Sequence, residues 1–100
     1  RVRGESMIGA NILPGDVVVV RKQQTADHGE IVVAHVGGEA TVKRLKFAAD
    51  DEGNMRPILH AENPDFAPII PDPPDALALF GKVIEIRRYL EEPPPWVPSP

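Results

Sequence analysis

Short β-branched runs, each closed off by turn-forming residues, constrain this chain more than any other feature. Val17-Val18-Val19-Val20 follows the turn Leu13-Pro14-Gly15-Asp16, and Ile31-Val32-Val33-Ala34-His35-Val36 follows Asp27-His28-Gly29-Glu30. Valine and isoleucine lose side-chain freedom in a helix and fit a pleated surface, so such runs predict strands. Gly37-Gly38 supplies the positive φ of a two-residue hairpin turn and leads into a strand over 39–47. The polar stretch 50–54 reads as a second hairpin loop, and 55–61 as a strand interrupted near Pro57. The proline-bearing stretch 62–76 predicts an extended surface loop, and 77–88 a closing strand with Gly81 at a bend or bulge. Residues 7–12 have room for one helical turn at most, and no apolar period of 3.6 is sustained elsewhere. The expected fold is all-β, with strongly coiled sheets.

The 100 residues allow one domain with one modest core. Residues 1–90 are expected to form that domain and 91–100, rich in proline, a flexible tail in which Trp96 is solvated. With no cysteine there can be no disulfide, no thiolate metal site and no cysteine nucleophile, which is compatible with a reducing cytoplasm. The net charge of −4 argues against direct binding of nucleic acid, which needs basic patches. No apolar run reaches the roughly 20 residues of a membrane span, so no membrane association is expected. The chain opens at Arg1 rather than at a methionine, and the expectation is a piece of something longer.

Two residues have the makings of chemistry. In Gly4-Glu5-Ser6-Met7, a serine between a glycine and a short turn can present its hydroxyl together with backbone N–H groups, as a nucleophile and an oxyanion hole require. Most serines in such a setting are ordinary turn or N-cap residues. Along 39–47, period-2 alternation puts Thr41, Lys43, Leu45 and Phe47 on one face, with Arg44 and Lys46 solvated on the other. A lysine on so apolar a face would lose its charge readily and could then act as a base, or could simply cover apolar surface with its stem. His28, His35 and His60 match no compact metal spacing and read as structural, and no cofactor or metal is expected.

Taken in order, Arg3-Gly4-Glu5-Ser6-Met7, Leu13-Pro14-Gly15-Asp16-Val17-Val18-Val19-Val20, Gly29-Glu30-Ile31-Val32-Val33-Ala34, Glu39-Ala40-Thr41-Val42-Lys43-Arg44-Leu45, Glu62-Asn63-Pro64-Asp65-Phe66-Ala67-Pro68-Ile69 and Gly81-Lys82-Val83-Ile84 resemble the C-terminal peptidase domain of the LexA family. The likeness covers about 1–88, and six motifs in one order are specific where each alone is modest. Phe66 stands where the family pattern has tyrosine. That family includes LexA repressors, self-cleaving phage repressors and UmuD-like polymerase accessory proteins.

The resemblance implies an all-β peptidase fold shared with signal peptidases, a catalytic dyad of Ser6 and Lys43, and an oxyanion hole from the backbone amides around Ser6 and Met7. It further implies a homodimer through the later strands, where Leu77, Leu79, Phe80, Val83, Ile84 and Ile86 offer more apolar surface than a small core needs. It implies a repressor of the SOS response to DNA damage, whose self-cleavage is stimulated by a RecA–single-stranded DNA filament acting as co-protease. The substrate would be the repressor's own upstream segment, commonly cut at Ala-Gly, and DNA would be bound only through an N-terminal domain. Neither the segment nor that domain lies within these residues, so the expectation is a cleavage product or a trimmed domain. Three rivals stand beside this reading. A signal peptidase would need an anchoring helix, an UmuD-like protein a short N-terminal arm, and a non-enzymatic dimerisation module no intact Ser6 and Lys43.

Overall fold

A computed structural model describes residues 1–91 together with Pro95 and Trp96. Five strands form: β1 (Val17–Lys22), β2 (Ile31–Val36), β3 (Glu39–Ala49), β4 (Met55–His60) and β5 (Ala78–Arg87). They join one antiparallel sheet in the order β1-β5-β2-β3-β4, so the all-β expectation holds. Two 3-10 turns, Ile8–Ala10 and Pro74–Ala76, are the helical elements among the described residues, and no helix is long enough to cross a membrane.

The β2–β3 hairpin turns on Gly37 and Gly38, whose φ values of 59° and 83° are open to glycine at no steric cost. Its register pairs Val32 with Lys43 and Ala34 with Thr41. Alternation along these strands feeds two apolar clusters. Val32, Ala34, Leu45 and Leu59 form one, with Phe47, Ile69, Leu77 and Leu79 against it. Val2, Met7 and Ile12 form the other, with Val18, Ile31, Val42 and Ile86 against it. Neighbours in sequence, Ile31 and Val32, thus serve different clusters, as a period of two requires.

The segment before β1 is tied down at both ends. The Val2 N–H donates to the Asp16 carbonyl (2.8 Å) and the Gly15 N–H to the Val2 carbonyl (2.9 Å). Asp16 is only 2% exposed, yet its carboxylate is fully partnered: it accepts from the Leu13 N–H (2.8 Å) and from Arg88 Nε and Nη2 (2.8 and 2.7 Å). The Arg88 guanidinium, helped by the Leu13 amide, holds the Asp16 carboxyl below its ordinary value. Arg88 also donates to the Asn11 carbonyl (2.9 Å). The end of β5 therefore anchors the loop that contains Ser6.

Three local expectations need correction. β4 is not interrupted at Pro57, which pairs with Phe47 in an unbroken strand. β4 lies at the sheet edge, where a residue without an N–H leaves no ladder bond unmade in the interior. Gly81 is not itself the bulge: the register shifts fall at Phe80 against β2 and at Ile84 against β1. The glycine is instead required by a close approach, since a Cβ there would collide with the Arg21 carbonyl oxygen. Arg44 is not solvated but half-buried and ion-paired with Glu62. Most of the proline-rich tail, residues 92–94 and 97–100, lies outside the described residues; Trp96 is 69% exposed.

Candidate active site

Ser6 and Lys43 stand 37 residues apart in sequence and meet in space, with Lys43 Nζ 2.8 Å from Ser6 Oγ. Each is placed by apolar anchoring of its neighbour. Met7, only 1% exposed, plugs the second cluster and fixes the turn on which Ser6 sits. Val42 packs against the same cluster from β3, and Leu45 belongs to the other. Ser6 does not cap the 3-10 turn that follows. Met7 occupies the cap position without a side-chain hydrogen bond, so the Ser6 hydroxyl is free for another partner.

Lys43 is 7% exposed, and burial pulls its ammonium pKa below the ordinary 10.5. Its surroundings suit a neutral amine. Nζ lies 2.7 Å from Thr41 Oγ1 and 3.1 Å from the Val42 carbonyl, besides the 2.8 Å contact with Ser6 Oγ. A neutral amine has two N–H donors and one lone pair. Two donors can go to Val42 O and Thr41 Oγ1, leaving the lone pair to accept the Ser6 hydroxyl proton. Among the described residues no carboxylate partners the amine, so none of them compensates a charge there. Thr41 was legible only as a residue on the same strand face as Lys43; its hydroxyl holds the amine at a distance that period-2 alternation alone does not give.

The pair opens onto a groove of about 670 Å³. Arg1, Arg3 and Val18 contribute to its wall, with Val33, Glu39 and Ala40. Its lining is therefore mixed, with both charge signs and short aliphatic side chains. None of the three histidines lines it. His28 is used structurally, its Nδ1 accepting the Phe47 N–H at 2.9 Å. The backbone N–H groups of Ser6 and Met7 find no acceptor among the described residues. A hydroxyl, an amine with a lowered pKa and two unspent amides in one groove are the kinds of group that acyl transfer requires.

Most of the chain is similar to known proteins. Residues 1–84 match the family described as Peptidase S24-like. The chain is similar to a LexA repressor of Syntrophotalea carbinolica, 48% identical over 89 residues, which are 89% of this chain and 42% of that protein. It is 47% identical over 92 residues to LexA repressor 1 of Geobacter sulfurreducens, covering 91% of this chain and 43% of the relative. To the LexA repressor of Frankia alni it is 48% identical over 90 residues, 90% of this chain and 32% of that one. The chain thus spans less than half the length of the curated relatives it matches.

Proposed function

The chain belongs to the Peptidase S24-like family as a LexA-like peptidase domain, and from that premise we propose that it is a serine endopeptidase in which Ser6 is the nucleophile and Lys43 its general base. The observation that carries this reading is the 2.8 Å approach of a buried lysine amine, with no carboxylate beside it among the described residues, to the Ser6 hydroxyl. Neutral Lys43 takes the hydroxyl proton as Ser6 Oγ attacks the scissile carbonyl. The tetrahedral oxyanion is held by the N–H groups of Ser6 and Met7. Lys43 returns the proton to the leaving amine as the C–N bond breaks, giving an acyl-enzyme. Water then attacks this ester, and Lys43 again takes and returns a proton. One amine serves as base and acid only if its pKa approaches the working pH, which burial favours.

In its biological setting the domain is proposed to belong to a repressor that cleaves its own upstream segment. Tethering raises the effective concentration of that segment. A RecA–single-stranded DNA filament then acts by shifting the population in which the segment occupies the groove, not by supplying a catalytic group. A cytoplasmic setting follows from this reading. The test has two arms. The isolated chain should cut a separate peptide carrying the family's Ala-Gly sequence, slowly for want of tethering, and Ser6→Ala should stop it. The longer protein should cleave itself faster when the filament is added. An active Ser6→Ala protein contradicts the dyad, and an unchanged rate with filament contradicts the regulatory part.

We also propose a homodimer through β5, with 1–90 as the peptidase unit and 91–100 as a tail outside it. Phe80 and Ile84, the two bulged residues of β5, are each 48% exposed, more apolar surface than an isolated strand leaves in water without use. Analytical ultracentrifugation at micromolar concentration should give twice the chain mass, both for the full chain and for one ending at Leu90. A monomer, or a dimer lost on removing 91–100, contradicts the proposal.

A further inference from the structure

The loop after β4 holds the nucleophile turn by its carbonyls. The Glu62 N–H donates to the Ser6 carbonyl (2.8 Å), and Asn63 Nδ2 donates to the Glu5 carbonyl (2.9 Å). The Glu62 carbonyl in turn accepts the Gly9 N–H (2.7 Å). The orientation of the Asn63 amide is fixed by its partners, since the Glu5 carbonyl can only accept and the Asp65 N–H, 3.0 Å from Asn63 Oδ1, can only donate. Residue 9 has no space for a side chain, because a Cβ there would collide with the Glu62 carbonyl oxygen.

These bonds have a geometric consequence. The peptides joining Glu5 to Ser6 and Ser6 to Met7 are trans. In a planar trans peptide the C=O and the N–H point to opposite sides. Drawing the carbonyls of Glu5 and Ser6 toward 62–63 therefore turns the N–H groups of Ser6 and Met7 away from that loop. Those are the two amides without an acceptor among the described residues. The loop is itself secured to β3: the Arg44 guanidinium pairs with the Glu62 carboxylate and donates to the Gly29 carbonyl (2.6 Å). Arg44 follows Lys43 directly, so the strand that carries the base also braces the turn that carries the nucleophile.

We propose that Asn63 is a positioning residue which, with the Glu62 backbone, sets the two peptide planes that supply the oxyanion hole. The proposal rests on the serine-peptidase reading above. It predicts that Asn63 acts on transition-state stabilisation and not on the Lys43 amine or on substrate binding. Misplacing preorganised groups by a fraction of an ångström to an ångström costs about tenfold to a hundredfold in rate.

The experiment compares the wild-type chain with Asn63→Ala and Asn63→Ser in cleavage of the Ala-Gly peptide in trans. Serine can still accept the Asp65 N–H and keep the local turn, while losing the reach to Glu5, so it covers the case in which Asn63→Ala fails to fold. In both variants kcat should fall by about tenfold to a hundredfold, with KM and the pH midpoint of the rate unchanged. Wild-type kcat in folded Asn63→Ser overturns the proposal, as does a loss that appears in KM or as a moved pH midpoint. An inactive wild-type chain overturns the peptidase reading and this one with it. An active wild type with equally active Asn63 variants overturns this one alone.

Discussion

Lys43→Arg is expected to leave the protein folded and unable to cleave peptide. Arginine carries a longer and bulkier head than lysine but retains hydrogen-bond donors for Thr41 Oγ1 and the Val42 carbonyl. What it cannot do is give up its charge, because a guanidinium stays protonated at any accessible pH and offers no lone pair to the Ser6 hydroxyl. The loss should be at least about a hundredfold in kcat. General-base assistance is worth about 100- to 10,000-fold, and a fixed positive charge beside Ser6 does not replace it. Lys43→Ala should be equally inactive. Circular dichroism should show both proteins folded. Wild-type activity in Lys43→Arg would make Lys43 an electrostatic helper and end the proposed mechanism.

Leu59→Ala should cost about 2–5 kcal/mol of stability, a large part of the roughly 5–15 kcal/mol that holds a domain of this size together. Leu59 is fully buried, packs with Val32, Ala34 and Leu45, and its N–H and C=O bond to Ile69 at 3.0 and 2.9 Å. Strand β3 on one side and the bridge to Ile69 on the other limit collapse into the space left behind. Urea unfolding followed by circular dichroism reads the change as a lower midpoint with an unchanged slope. Below the new transition, cleavage per folded molecule should hold, because Met7 and Val42 fix the dyad from the other cluster. A cost below about 1 kcal/mol would mean the cluster around Leu59 is looser than its burial implies.

The strands were legible because their signal is local. Val17 to Val20, the Gly37-Gly38 turn and the alternation around Lys43 and Leu45 each declare themselves within a few residues. Pro57 misled because a proline counts against a strand only in the sheet interior, and edge position is a property of the assembled sheet. Arg44 misled for a related reason. Alternation put it on the face opposite Lys43, but not next to Glu62, which follows the end of β4 where His60 pairs with Arg44. For the site, the types and order of residues pointed to Ser6 and Lys43. The third contact of the amine, with Thr41, and the brace from Asn63 to Glu5, 58 residues apart, depend on how the loops close over one another. No periodicity in the sequence encodes that closure.

The pH dependence of the single-turnover rate of peptide cleavage tests the central claim most directly. The reactive form contains neutral Lys43, so the rate must rise with pH as the ammonium loses its proton. Burial disfavours the charged amine, so the midpoint must lie below the 10.5 of an exposed lysine. The same shift bears on stability: between the lowered pKa and 10.5 the unfolded chain binds more protons at this site than the folded one, so folding is favoured as pH rises through that window. The predicted result is a single ascending limb with its midpoint below 10.5, absent in Lys43→Arg. A rate independent of pH, or one that turns on near the ~6.5 of an ordinary histidine and persists in Lys43→Arg, would contradict the assignment of Lys43 as the base.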